Sequence, residues 1–142
     1  MLSNGKKKHW KVLILTMTKY KSQGFFNTFR NARKGMRLSI KSERNIRVHF
    51  AAAVLALITG FYFHFSIVKF CIILFAIGSV ISAEMMNSAI EFALDSIYHN
   101  KYSRMVGMAK DIAAGAVMVV TIIAVMIGVL LFVPPFIMLF IK

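Results

Sequence analysis

Along the stretch from Ala83 to Asp95 the polar side chains Glu84, Asn87, Ser88, Glu91 and Asp95 fall at i, i+3, i+4, i+7 and i+11. In a helix that spacing draws them onto one face. The chain has two further carboxylates, and both adjoin cations: Glu43 in Ser42-Glu43-Arg44-Asn45-Ile46-Arg47, and Asp111 in Ala109-Lys110-Asp111. Carboxylates in basic surroundings suit Mg²⁺, which takes oxygen ligands and keeps some positions for substrate phosphates. Lys110, Arg47 and Arg104 could meet the phosphates themselves. Phosphoryl transfer needs little beyond these parts and one base to position the attacking hydroxyl.

The elements that must carry these groups are membrane helices. Of 142 residues, 58% are hydrophobic and only 16% charged, with a net charge of +13 and a mean hydropathy of +0.70. A soluble domain is about a quarter charged and about half apolar, so that class is excluded. Three apolar spans are expected, over 48–65, 67–94 and 112–133, each long enough for a hydrocarbon core of about 30 Å at about 1.5 Å per residue. A turn at Ser66 makes the first two a tight hairpin.

Charge placement orients them. Of the 18 Lys and Arg, 13 fall between Lys6 and Arg47, and Lys101, Arg104 and Lys110 lie between the second and third spans. Cationic loops stay in the cytoplasm, which places the N-terminus and the 95–111 loop inside and the Ser66 turn outside. Nucleic acid is excluded as the partner of this charge, because no basic motif is interleaved with stacking aromatics on a folded module. Residues 1–22 read as a flexible basic extension; Val12 to Leu15 is too short an apolar patch for a cleaved signal. Residues 25–42 alternate Phe25, Phe26, Phe29, Met36, Leu38 and Ile40 with Arg30, Arg33, Lys34, Arg37 and Lys41 in a helical rhythm, as expected of an amphipathic helix on an anionic membrane surface. Pro134 and Pro135 are expected to end or kink the third span.

With the second span entered from outside near Ile67, Glu84 lies about 25 Å along it and Glu91 about 36 Å, against a core of about 30 Å. Glu84 is then just inside the hydrocarbon boundary, while Glu91 and Asp95 reach water. An ionised Glu within a membrane helix costs several kcal/mol unless paired or hydrated, which marks it as functional. One helix face thus joins a lipid-soluble reactant to a water-soluble one.

Other residues carry less. Cys71 reads as a small hydrophobe in an apolar run. The histidines 9, 49, 64 and 99 lack metal-ligand spacing and are expected to be interfacial or solvated. The eight glycines form neither a Walker loop nor a kinase loop nor a dinucleotide fingerprint. Two other functions fit parts of the pattern: a cation-coupled transporter using Glu84, which leaves Glu43, Lys110 and Asp111 unexplained, and a purely structural membrane subunit.

The segment Ala83-Glu84-Met85-Met86-Asn87-Ser88-Ala89-Ile90-Glu91 with Asp95, followed by Ala109-Lys110-Asp111 and Ala113 to Val117, resembles the small integral-membrane prokaryotic diacylglycerol kinase and undecaprenol kinase family over about residues 25 to 133. Ser42-Glu43-Arg44-Asn45 with Arg47 and His49 looks like the undecaprenol kinase branch. The resemblance implies a multi-pass, all-α homotrimer of three-crossing protomers in the cytoplasmic membrane, its sites shared between neighbours at the cytoplasmic face. It implies ATP and Mg²⁺ as reactant and cofactor, and undecaprenol, ahead of diacylglycerol, as the lipid alcohol. Carried over by position, Glu84 is the base, Glu43 and Glu91 hold the metal, Lys110, Asp111 and Tyr102 contact nucleotide, and Asn87 supports the site. Asn31 stands at a surface-helix position, often Tyr in the family, that faces nucleotide. Lys101 and Ser103 flank Tyr102, unlike the diacylglycerol-specific pattern.

Overall fold

The computed structural model describes residues 24–98 and 103–141, all helical apart from short breaks. In chain order the helices are α1 (Phe25–Ser42), α2 (Arg44–Tyr62), α3 (Ile67–Tyr98) and α4 (Arg104–Phe140). The chain divides after Met36 into two compact units. The first contributes the start of α1, where every described residue is exposed and the Phe25 and Phe26 rings meet edge to face at 6.1 Å.

A single extended residue, Glu43, separates α1 from α2 (φ −100°, ψ 123°). The last carbonyls of a helix have no intrahelical partner. Here Arg47 Nη1 donates to the carbonyls of Ile40 (3.2 Å) and Lys41 (3.1 Å), and Ser42 Oγ donates to that of Leu38 (2.9 Å). Arg47, read from the sequence as a phosphate contact, is engaged in holding this corner.

Three helices, α2, α3 and α4, are long and apolar enough to cross a membrane. At the end that gathers the carboxylates the helices exceed the apolar spans, with α2 beginning at Arg44 rather than 48, α3 running on to Tyr98 and α4 beginning at Arg104 rather than 112, while at its other end α2 stops short, at Tyr62 rather than 65. Hydropathy marks the part of a helix that meets lipid, whereas helical hydrogen bonding continues into water. The 32 residues of α3 and 37 of α4 span about 48 and 56 Å, well over a core of about 30 Å.

Of the two expectations for the prolines, an end to the helix is overturned. Helix α4 passes through Pro134 and Pro135 to Phe140, although each proline removes an N–H from the ladder, at a cost of about 3 kcal/mol in a soluble helix. In lipid the alternatives to helix leave more backbone groups unpaired. Continuing the helix also sets Phe136 edge to face against Phe63 at 4.9 Å.

That contact belongs to an aromatic cluster around the α2–α3 turn. Phe65 meets Phe132 at 5.1 Å and Phe61 meets Phe70 at 4.7 Å, while Lys69 Nζ sits 4.8 Å from the centre of the Phe65 ring. The turn is a Schellman closure: the Phe65 N–H bonds to the Gly60 carbonyl and the His64 N–H to that of Phe61, each at 3.1 Å. It requires a left-handed residue, and His64 adopts φ 50° there. Gly60 permits the approach of Phe70, whose ring would lie 3.2 Å from an added Cβ.

Packing is a narrow seam. On α2 the buried residues are Ile46, Ala53 and Gly60, one every seven; on α3 they are Ile73, Ala76, Val80, Glu84 and Ser88, three or four apart. Helix α3 lies between α2 and α4 and packs on both. Large apolar side chains elsewhere, such as Leu55, Phe75, Ile112 and Leu130, are more than half exposed. So much uncovered apolar surface is tolerable only against lipid or further protein.

Candidate active site

The buried stripe of α3 changes character along its length. From Ile73 to Val80 it is apolar, and at the next two positions, Glu84 and Ser88, it is polar with 5% and 2% exposure. Because α2, α3 and α4 alternate in direction, one end of the bundle gathers the start of α2, the second half of α3 and the start of α4. Every carboxylate of the chain lies in those segments.

Three side-chain pairs organise this end. His49 Nε2 on α2 lies 3.2 Å from Glu84 Oε1 on α3. One turn on, Asn87 Nδ2 donates to Glu91 Oε1 at 3.0 Å. Another turn on, Lys110 Nζ of α4 donates to Asp95 Oδ1. Ser88 turns inward, its Oγ donating to the Glu84 carbonyl at 3.0 Å.

The deepest carboxylate is thus paired with imidazole. A polar group sealed from water needs a hydrogen-bond partner, and His49 supplies one. The sequence reading placed His49 among interfacial or solvated histidines; its side chain is 24% exposed and faces Glu84. Nothing in local spacing links the two, since they stand 35 residues apart on different helices.

The other expected residues are distributed as follows. Glu43 occupies the N-cap position of α2, half-buried, without capping the helix through its side chain. Asp111 is exposed on the first turns of α4. Asn31 is exposed on α1, in the unit ending at Met36. Tyr102 lies outside the described residues. Lys110, expected at nucleotide, is tied to Asp95, a residue the sequence reading had left without a role beyond the stripe. Glu43 and Asp111 have no ion pair among the described residues.

The donor set fits a hard cation. Glu91 presents a carboxylate held in place by Asn87, and Asn87 Oδ1 is a buried oxygen with no hydrogen-bond partner among the described residues. Among the described residues no three His, Cys, Asp or Glu side chains converge as a metal cluster. Mg²⁺ is usually held by one or two carboxylates and completed by phosphate and water, and Glu91 is a carboxylate of that kind.

Beyond the pairs, an apolar cavity of about 180 Å³ runs between α2, α3 and α4. Its α3 lining, Ile73 to Ile81, stops just short of Glu84, and His49 is the one ionisable side chain that borders it. Hydrocarbon chemistry thus lies on one side of the His49–Glu84 pair and carboxylates on the other.

Comparison with known proteins identifies the family. Residues 30–132 match the model of the prokaryotic diacylglycerol kinase family. Undecaprenol kinase of Bacillus subtilis is 42% identical over 110 residues, covering 78% of this chain and 89% of that protein. Diacylglycerol kinase of Synechocystis sp. is 30% identical over 108 residues, covering 76% of this chain and 62% of that protein. The matched region takes in α2, α3, α4 as far as Phe132 and the His49–Glu84, Asn87–Glu91 and Lys110–Asp95 pairs, and on that basis the chain belongs to the prokaryotic diacylglycerol kinase family and is an integral-membrane lipid kinase.

Proposed function

We propose that the chain transfers the γ-phosphoryl group of ATP, with Mg²⁺, to the hydroxyl of undecaprenol, giving undecaprenyl phosphate. The observation that carries this reading is the change along one face of α3 from a buried apolar stripe to Glu84 and then to the half-buried Asn87 and Glu91. A hydroxyl presented from lipid and a phosphate presented from water can meet on such a face. Undecaprenol is favoured over diacylglycerol because the undecaprenol kinase relative is more similar over more of its own length.

In this mechanism Glu84 accepts the proton of the lipid hydroxyl as that oxygen attacks phosphorus, in line with the departing ADP oxygen. Asn87 fixes the Glu91 carboxylate through the 3.0 Å hydrogen bond, and Glu91 with Glu43 would hold Mg²⁺. When bound, the ion supplies charge stabilisation to the phosphate oxygens. Lys110, aligned by Asp95, together with Asp111, Tyr102 and Asn31, contacts nucleotide. The enzyme works as a homotrimer in the cytoplasmic membrane, N-terminus inside, with α1 on the membrane surface and the cations of residues 1–22 drawn to anionic lipid.

The test is direct. Purified protein in micelles receives labelled ATP, Mg²⁺ and either undecaprenol or diacylglycerol. Label is expected in undecaprenol; label only in diacylglycerol overturns the substrate, and label in neither overturns the reaction.

A further inference from the structure

Glu84 has two carboxylate oxygens, and the structure distinguishes them. Oε1 faces His49 Nε2 at 3.2 Å, while Oε2 accepts no hydrogen bond from the described residues. His49 is placed there by the packing of α2: it follows the fully buried Ile46 by three residues and shares its seam with Ala53 and Gly60. Around it the lining is Ala52, Ala53 and Ala56 of α2 with Val80 and Ile81 of α3. With Glu84 only 5% exposed and His49 its one side-chain partner among the described residues, a single donor orients the carboxylate.

We propose that His49 is the positioning residue for Glu84: its Nε2–H holds Oε1 and leaves Oε2 as the oxygen that takes the proton from the lipid hydroxyl. This rests on the reading of Glu84 as the base. A base must be ionised, and with Glu84 ionised the proton between the two atoms resides on Nε2. In the transfer the hydroxyl O–H bond breaks and its proton passes to Oε2. The electron pair released on oxygen forms the new bond to the γ-phosphorus, while the bond from that phosphorus to the bridging oxygen breaks and ADP leaves with its electrons. Without His49 the carboxylate can rotate about its terminal torsion, and the hydroxyl meets the correct oxygen in fewer encounters.

The same imidazole borders the apolar cavity on the side away from the carboxylates. His49 therefore stands at the junction where a lipid alcohol would pass from hydrocarbon to the base. Its contribution is expected in turnover and not in nucleotide affinity, because Asn87 and Glu91 lie one and two turns further along α3 and Lys110 and Asp111 lie on α4.

Two conservative substitutions separate positioning from packing. The side-chain amide of His49→Gln can bring its nitrogen to where Nε2 stands, whereas that of His49→Asn falls short. With the full-length protein in micelles, kcat and the KM for Mg-ATP are measured for both variants and for Glu84→Gln, using undecaprenol as acceptor. His49→Asn is expected to lower kcat roughly 10- to 100-fold, the usual effect of losing an orienting partner, with the KM for Mg-ATP unchanged; His49→Gln recovers most of that loss. Wild-type kcat in His49→Asn, or equal losses in the two variants, overturns the positioning role. If Glu84→Gln remains active, the base assignment itself fails; if it is inactive while both His49 variants turn over normally, only the positioning role fails.

Discussion

Lys110 of α4 reaches across to Asp95 of α3 and donates to its Oδ1, tying together the two helices that carry most of the groups assigned to nucleotide. Both side chains are about a third exposed, so the pair contributes little to stability, at most about 1 kcal/mol. Asp95→Asn is accordingly expected to leave thermal unfolding in detergent nearly unchanged while raising the KM for ATP, since it frees Lys110 from its set position. Lys110→Met raises that KM further. A large loss of stability in Asp95→Asn, with KM intact, would show the pair to be a structural strut.

The roles of the two deep carboxylates separate kinetically. Glu84→Gln should reduce kcat by about 10² to 10⁴, the range for losing a general base, with Mg-nucleotide binding retained. Glu91→Gln should weaken Mg-nucleotide binding instead. Isothermal titration with Mg²⁺ and a non-hydrolysable ATP analogue measures this; equal loss of affinity in both variants contradicts the division.

Asn87 holds Glu91 from one turn away. Replacing it with Leu removes the donor and the unpaired Oδ1 together. The expected result is a roughly tenfold higher Mg²⁺ requirement, as for other partners that orient a ligand, with kcat recovering at saturating Mg²⁺. A kcat that stays low at every Mg²⁺ concentration would place Asn87 at the reacting atoms.

The α2–α3 turn provides a stability test remote from chemistry. His64 is left-handed at φ 50°, where a Cβ costs about 1 kcal/mol. His64→Gly should therefore exceed His64→Ala in stability by roughly that amount, offset in part by glycine's greater unfolded-state freedom. Scanning calorimetry in detergent compares them; an alanine variant as stable as the glycine variant would remove the strain.

Much of this architecture is legible before any coordinates. Predominantly apolar runs announce the three membrane-long helices, and the 3.6-residue period places Glu84, Asn87, Ser88, Glu91 and Asp95 on one face. Relationships between helices are not legible, because periodicity describes a helix by itself. Hence the partner of Glu84 is found only when α2 and α3 are packed, and His49 looks like any interfacial histidine until then. The engagement of Arg47 with the carbonyls of Ile40 and Lys41 is hidden for a related reason: unpaired carbonyls at a helix end leave no mark on composition. The continuation of α4 through Pro134 and Pro135, beside the Phe63–Phe136 contact, shows that a proline need not end a helix that meets lipid.

The burial of Glu84 carries one more consequence. Kinases that work in water commonly close a mobile element over their reactants, so that a stray water molecule does not take the phosphoryl group in place of the intended acceptor. Glu84, the proposed base, is only 5% exposed on an unbroken helix whose neighbouring turns on one side are apolar. On that proposal a lipid hydroxyl would reach it from the side that excludes water, and burial within the helix packing would itself hold down wasteful hydrolysis.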